Sequence, residues 1–92
     1  MALEFLPEGV MFDAIRDMIR FTGVDGVRFV KCGVTSGALM DVARSQHATA
    51  EDLLDVYLIH QRRIHALADA KYQQGHFERD GLVLVRSADL NP

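Results

Sequence analysis

The hydrophobic pattern of this chain changes period once, near residue 35. Before that point apolar and polar positions alternate, the signature of half-buried strands. Val24-Asp25-Gly26-Val27 is a strong hairpin signal, because Asp-Gly suits a two-residue turn that needs positive φ. With Asp25 and Gly26 as the loop, Phe21 faces Val30 and Ile19 faces Cys32. Ile19, Phe21, Val30 and Cys32 then share one face of the pair, and Arg20, Thr22, Phe29 and Lys31 the other. A second turn at Arg16-Asp17 sets Phe12 opposite Phe21, Ala14 opposite Ile19 and Asp13 opposite Arg20. Both turns select the same apolar face, which predicts a three-stranded antiparallel meander over residues 10–34.

After residue 35 the spacing is helical. Thr35 or Ser36 can cap a short helix running to His47, with Leu39, Met40, Val42 and Ala43 as its apolar positions. Thr49 opens a longer helix, with Glu51 and Asp52 in its first turn, that can extend to Gln74 before Gly75. Leu53, Tyr57, His60, Ile64, Leu67 and Lys71 form its core-facing row. Asp80-Gly81 signals another hairpin, between a short arm at 77–79 and the apolar strand Leu82-Val83-Leu84-Val85, which must be covered on both faces. Residues 87–92 read as a flexible tail. The predicted fold is α+β: an antiparallel sheet of four to five strands, covered on one face by two helices. The order is β-β-β-α-α-β with an optional last strand, a two-layer sandwich in one domain spanning 1–92.

Composition narrows the function classes. With 92 residues, 49% hydrophobic and 25% charged, the chain suits one globular domain and not a disordered segment. The net charge of −3 argues against a general polyanion binder. A single cysteine excludes an internal disulfide framework and fits a reducing, cytoplasmic setting. No apolar run approaches the ~20 residues that span a bilayer, so no membrane role is expected.

No standard catalytic, phosphate-binding or metal-binding motif is present, so neither a cofactor nor a metal is expected and the chain reads as non-enzymatic. His60 and His65 stand five apart, about 140° around a helix, and cannot chelate one ion between them. His65 and Asp69, at i and i+4, suit a surface contact. His60, on the apolar row beside Tyr57, is either a switchable imidazole or a structural one bonded to a carbonyl or to Tyr57. Cys32 lies mid-strand on the apolar face, where a free thiol behaves as a small hydrophobe. Arg62 and Arg63, with Arg20 and Lys31 around Phe29, are a candidate nucleic-acid surface. Val56, Ile59, Ala66 and Ala70 form a second apolar stripe, interrupted by Arg63, that either the short helix or another subunit must cover.

Several features together resemble one family. They are Ile19-Arg20-Phe21, Val30-x-Cys32-x-Val34, Ser36…Leu39, Tyr57-x-x-His60…Ile64…Ala68…Tyr72, and a closing apolar strand followed by Asp89. The family is the small proteobacterial domain of unknown function number 1488, and the resemblance spans nearly the whole chain. It implies a small cytoplasmic α+β domain without established activity, some of whose members are labelled transcriptional regulators. The family pattern places Arg directly after the helix His. Here Gln61 holds that position and Arg62 follows, which puts a partner-binding role for that Arg in doubt. Three functions are compatible: a protein-contact module acting on another protein or as a homodimer; a nucleic-acid-contacting regulator; and a small-molecule site near His60, Tyr57 and Cys32.

Overall fold

The computed structural model describes residues 3–92. Its elements are β1 (Glu4–Phe5), β2 (Met11–Asp13), β3 (Met18–Asp25), β4 (Arg28–Thr35), α1 (Ser36–Ala43), α2 (Ala50–Gln73), β5 (Val83–Val85) and α3 (Ser87–Leu90). The five strands form one sheet in the order β1-β3-β4-β5, with β2 also paired to β3. The helices and the inward side chains of the sheet share one core, built on Ile19, Phe21, Val30, Cys32, Val34, Leu39, Tyr57 and Ile64.

The meander forms, and the expected inner face is the observed one. Its register is displaced by two residues. Phe21 pairs with Cys32, Ile19 with Val34 and Asp25 with Arg28, so the loop is Gly26-Val27 and not Asp25-Gly26. Gly26 alone takes positive φ (62°), as a turn with glycine at its first central position requires. Asp25 is thereby left in the ladder, where its carboxylate accepts the Tyr72 hydroxyl of α2 at 2.6 Å. The first turn also differs. Four residues, 14–17, connect β2 to β3, with Asp17 at φ 55°, and Phe12 pairs with Ile19. Asp13 caps this loop by accepting from the Ile15 and Arg16 amides, and it reaches Arg20 diagonally at 3.6 Å. A displacement of two leaves every side chain on its face, because side chains alternate with period two.

β1 was not anticipated. It pairs with the same edge of β3 that β2 uses further along, Phe5 against Gly23. Leu6 still donates its amide to Thr22 O at 3.0 Å, and residues 7–10, with Pro7 and Gly9 (φ 77°), then leave the ladder. This excursion changes the parity of the edge, so odd-numbered Phe5 and even-numbered Phe12 both turn toward the helices and join the core. Gly23 leaves room for Leu3 and Phe5: a Cβ there would stand 3.1 Å from Leu3 and 3.4 Å from Phe5.

The end of the chain departs most from expectation. Asp80-Gly81 closes a turn, with Glu78 N donating to Leu82 O at 2.8 Å, yet residues 77–79 form no strand. β5 instead runs parallel to β4, Val83 beside Cys32, because α2 carries the chain back across the sheet before β5 begins. Residues 87–92 are not a tail. Ser87–Leu90 is a helical turn whose Leu90 is buried, Asn91 donates to Ala38 O at 3.2 Å, and Lys71 pairs with Asp89 at 2.9 Å.

The helix starts follow their caps. Thr35 accepts from Ala38 N at 3.0 Å, and Thr49 and Asp52 form a reciprocal capping box at 3.1 Å each way. α1 ends at Ala43, short of His47, where Arg44 turns left-handed (φ 56°) and its amide bonds back to the last carbonyls.

Because Leu90 is fully enclosed, Leu90→Ala is expected to lower stability by ~2–5 kcal/mol, measured as a lower urea midpoint at unchanged slope. A true tail would show no change.

Candidate functional site

Three regions carry chemistry or unpartnered surface. The first is a buried aromatic cluster where β1, β3 and α2 meet. Tyr57 Oη lies 2.6 Å from His65 Nε2. The His65 ring stacks on Phe5, with centroids 4.1 Å apart and planes 12° apart, and lies 5.3 Å from the Phe21 ring. Phe21 also meets Tyr57 at 5.4 Å. Burial lowers the His65 pKa below its ordinary value and pushes the Tyr57 phenol up to about 12, with nearby Cys32 adding to the rise. The phenol and the imidazole nitrogen share this hydrogen bond, its direction set by the imidazole tautomer. Cys32 is buried beneath, and desolvation raises its pKa to about 12 against a small opposing contribution from the Gly23 backbone. It is therefore a thiol at neutral pH, which is the unreactive form.

This cluster corrects the expectation for His60. The histidine that meets Tyr57 is His65; His60 is half-buried on the adjoining row and makes no hydrogen bond among the described residues. Asp69, expected beside His65, accepts the Leu3 amide at 2.8 Å and so pins the start of the edge strand to α2. Sequence reasoning missed His65 because its neighbour Phe5 comes from β1, whose two-residue length and following Pro7 give no strand signal.

The second region is the sheet face away from the helices. One end is closed by Met18, Leu82 and Leu84, under an Arg16–Asp80 ion pair of 2.7 Å. The remainder is open, with Phe29 71% exposed beside Lys31 and with Arg20 half-buried. β5 starts only at the level of Cys32, so the Arg28–Lys31 edge of β4 has no strand beside it. A cleft of about 210 Å³ opens there, lined by Arg28, Phe29, Lys31, Tyr72, Phe77 and Asp80 among others. A broader hollow of about 540 Å³ lies at the start of α2, next to His47 and Asp52. Neither is lined by His60, Tyr57 or Cys32.

The third region is the solvent face of α2. The second apolar stripe, for which the short helix or another subunit was the expected cover, is buried only at one end. Val56 packs against the core, whereas Ile59 is 76% exposed and Ala66 and Ala70 are exposed as well. Arg62 and Arg63 share this outer face, so they and the sheet pair Arg20 and Lys31 lie on opposite layers and do not form one patch. Among the described residues, no three His, Cys, Asp or Glu side chains come together as a metal site, and no helix is long and apolar enough to cross a membrane.

Architecture and comparison define the class: a two-layer α+β protein whose mostly antiparallel five-stranded sheet carries its helices on one side. The family profile described as "Protein of unknown function (DUF1488)" matches residues 3–85, and the chain belongs to that family. It is similar to a solved structure, a protein of unknown function from the same family in Shewanella loihica PV-4. The two share 20% identity and a TM-score of 0.84, with 91% of each chain covered, a likeness of fold. No curated protein matches the sequence.

A histidine whose folded pKa is depressed favours the folded state while it stays neutral. Stability is therefore full above the unfolded value near 6.5 and declines as pH falls from there toward the folded value. Between pH 7.5 and 5 the urea midpoint is expected to drop, and His65→Gln is expected to flatten that slope. An unchanged slope in the variant would remove His65 as its source.

Proposed function

We propose that this protein is a non-enzymatic protein-contact module that works through the solvent face of α2. The observation that carries this reading is Ile59, an apolar side chain 76% exposed near the middle of the longest element, followed along the same stripe by exposed Ala66 and Ala70. Single exposed apolar residues are ordinary, but here Val56 continues the stripe into the core, so the surface is contiguous with a rigid interior. The reactive groups support the same reading. Cys32 is a buried thiol, Tyr57 and His65 satisfy each other, and neither cavity reaches them. Asp55, Arg62 and Arg63 on this face make no ion pair among the described residues, which leaves them available to a partner.

The test is a photo-reactive amino acid at position 59, compared with one at Lys31, in the producing cell. Discrete adducts from position 59 and none from position 31 are the expected outcome. Adducts from position 31 alone would move the contact to the sheet and overturn the assignment.

A second reading has its own observation. Phe29 stands exposed beside Lys31 on an open sheet face, the arrangement by which single-stranded nucleic acid stacks on a sheet. It now rests on Arg20 and Lys31, since Arg62 and Arg63 lie on the other layer. Binding of a fluorescent oligo(U) that weakens steeply with salt and is lost on Phe29→Ala is its expected mark. No binding at low salt would end it.

A further inference from the structure

We propose that the gap beside the free edge of β4 binds the carboxy-terminal end of a short free peptide, added as a strand in line with β5. This site is separate from the α2 face and does not rest on it. Residues that flank a two-residue loop exchange both of their backbone hydrogen bonds, and here those residues are Asp25 and Arg28. Alternation then turns the backbone groups of Arg28, Val30, Cys32 and Val34 toward β3, and those of Phe29, Lys31 and Gly33 toward the other edge. β5 occupies that edge only from the level of Cys32. The Phe29 amide and carbonyl and the Lys31 amide therefore have no ladder partner among the described residues. Two donors and one acceptor on an open strand edge are the template for an added strand.

The cleft of about 210 Å³ at this edge sets the chemistry of the occupant. Phe77 meets Tyr72 edge-on there at 5.8 Å, and Tyr72 is held in turn by its bond to Asp25. Arg28 and Lys31 are exposed and make no ion pair among the described residues. At one end Asp80 and Gly81 (φ 87°) turn the chain toward β5, so a strand entering from the hairpin tip must stop there. Of the charges at that end, Asp80 is taken by Arg16 at 2.7 Å whereas Lys31 is unpaired, so a carboxylate fits and an ammonium does not. The added strand thus runs parallel to β4, as β5 does, with its last residue beside Val30. In that register its last N–H donates to Phe29 O and its carboxylate accepts from Lys31 N, while the carbonyl two residues earlier accepts from Phe29 N. Side chains alternate between the faces of a sheet. The last one shares the helix side with buried Val30, Tyr72 and Phe77 and is apolar; the one beside Arg28 lies on the same side and is acidic. Three residues therefore fill the gap: an acid, an unspecified residue, and an apolar residue with a free carboxylate.

Titration of the isotope-labelled full chain with acetyl-Glu-Ala-Leu up to about 5 mM, followed by amide NMR shifts, tests this. Saturation with a Kd below ~1 mM is expected, with the largest shifts at the Phe29 and Lys31 amides. The carboxamide form of the peptide is expected to bind more than ~5-fold more weakly. The form methylated on its last backbone nitrogen, which has lost the donor to Phe29 O, is expected to weaken by a similar factor. So is the parent peptide on Lys31→Gln, an exposed position where a matching unfolding midpoint checks that the fold is intact. No shift at the highest concentration overturns the site. Equal binding of the carboxamide overturns the terminal carboxylate, and equal binding of the methylated form overturns the added strand. Shifts centred on Ile59 overturn the location. Protein-sized adducts from position 31 in the cell would put the tail of a protein in the gap and overturn the free peptide as its occupant.

Discussion

The fold depends on one constraint: a sheet buried on one side only must keep every second side chain of β3 and β4 beneath the helices. Ile19, Phe21, Val30, Cys32 and Val34 meet that requirement, and Tyr57 and Ile64 of α2 close over them. Phe21 sits at the centre, touching Phe5, Tyr57 and His65 rings at once. Burial of such a ring is worth several kcal/mol, a large share of the stability of a 92-residue domain. Three ties then fix α2 over the sheet. Asp69 holds the Leu3 amide, Tyr72 holds Asp25 at the hairpin end, and Lys71 holds α3 through Asp89.

The same constraint explains what could be read from the sequence and what could not. Parity was legible, since a polar residue on the inner face costs far more than a displaced turn. A displacement by two preserves parity, so the pattern of apolar residues holds no information about it. The observed loop, Gly26-Val27, leaves Asp25 in the ladder and within reach of Tyr72, a contact from a distant element that no local pattern announces. Leu82–Val85 announced a strand buried on both faces, but its direction depends on where α2 delivers the chain, and that is a property of helix length and packing. The terminal helix was hidden for a similar reason. Ser87–Leu90 has the apolar content of a tail, and only the pocket left for Leu90 beside α1 gives it a place.

The histidines make the point at the level of a site. The spacing of α2 puts His60 and His65 on neighbouring rows, one on each side of the buried line through Tyr57 and Ile64. Helical periodicity cannot choose between them. β1 chooses, because Phe5 supplies the flat surface on which one imidazole stacks, and the excursion at Pro7–Gly9 is what aims Phe5 inward. His65 consequently loses water and turns to the Tyr57 hydroxyl, while His60 keeps partial access to solvent. The result is a satisfied structural pair: its pKa displacements follow from burial, and neither of the two clefts described above is lined by it.

The outward surfaces divide by how they tolerate a neighbour. The open sheet face carries Lys31 and Arg20, and charged side chains on an exposed sheet discourage indiscriminate strand-to-strand association. The outer face of α2 lacks such protection at its centre: Ile59 is bare, with Asp55 one turn before it and Arg63 one turn after it. Because α2 is also the element to which β1, β3 and α3 are tied, any partner that binds its outer face and not the unfolded chain stabilises the whole domain by mass action. On the proposed reading, contact and stability are therefore linked through a single helix. In a domain of this size, with a modest core of its own, that linkage gives occupancy of the α2 face a direct effect on how much of the chain remains folded.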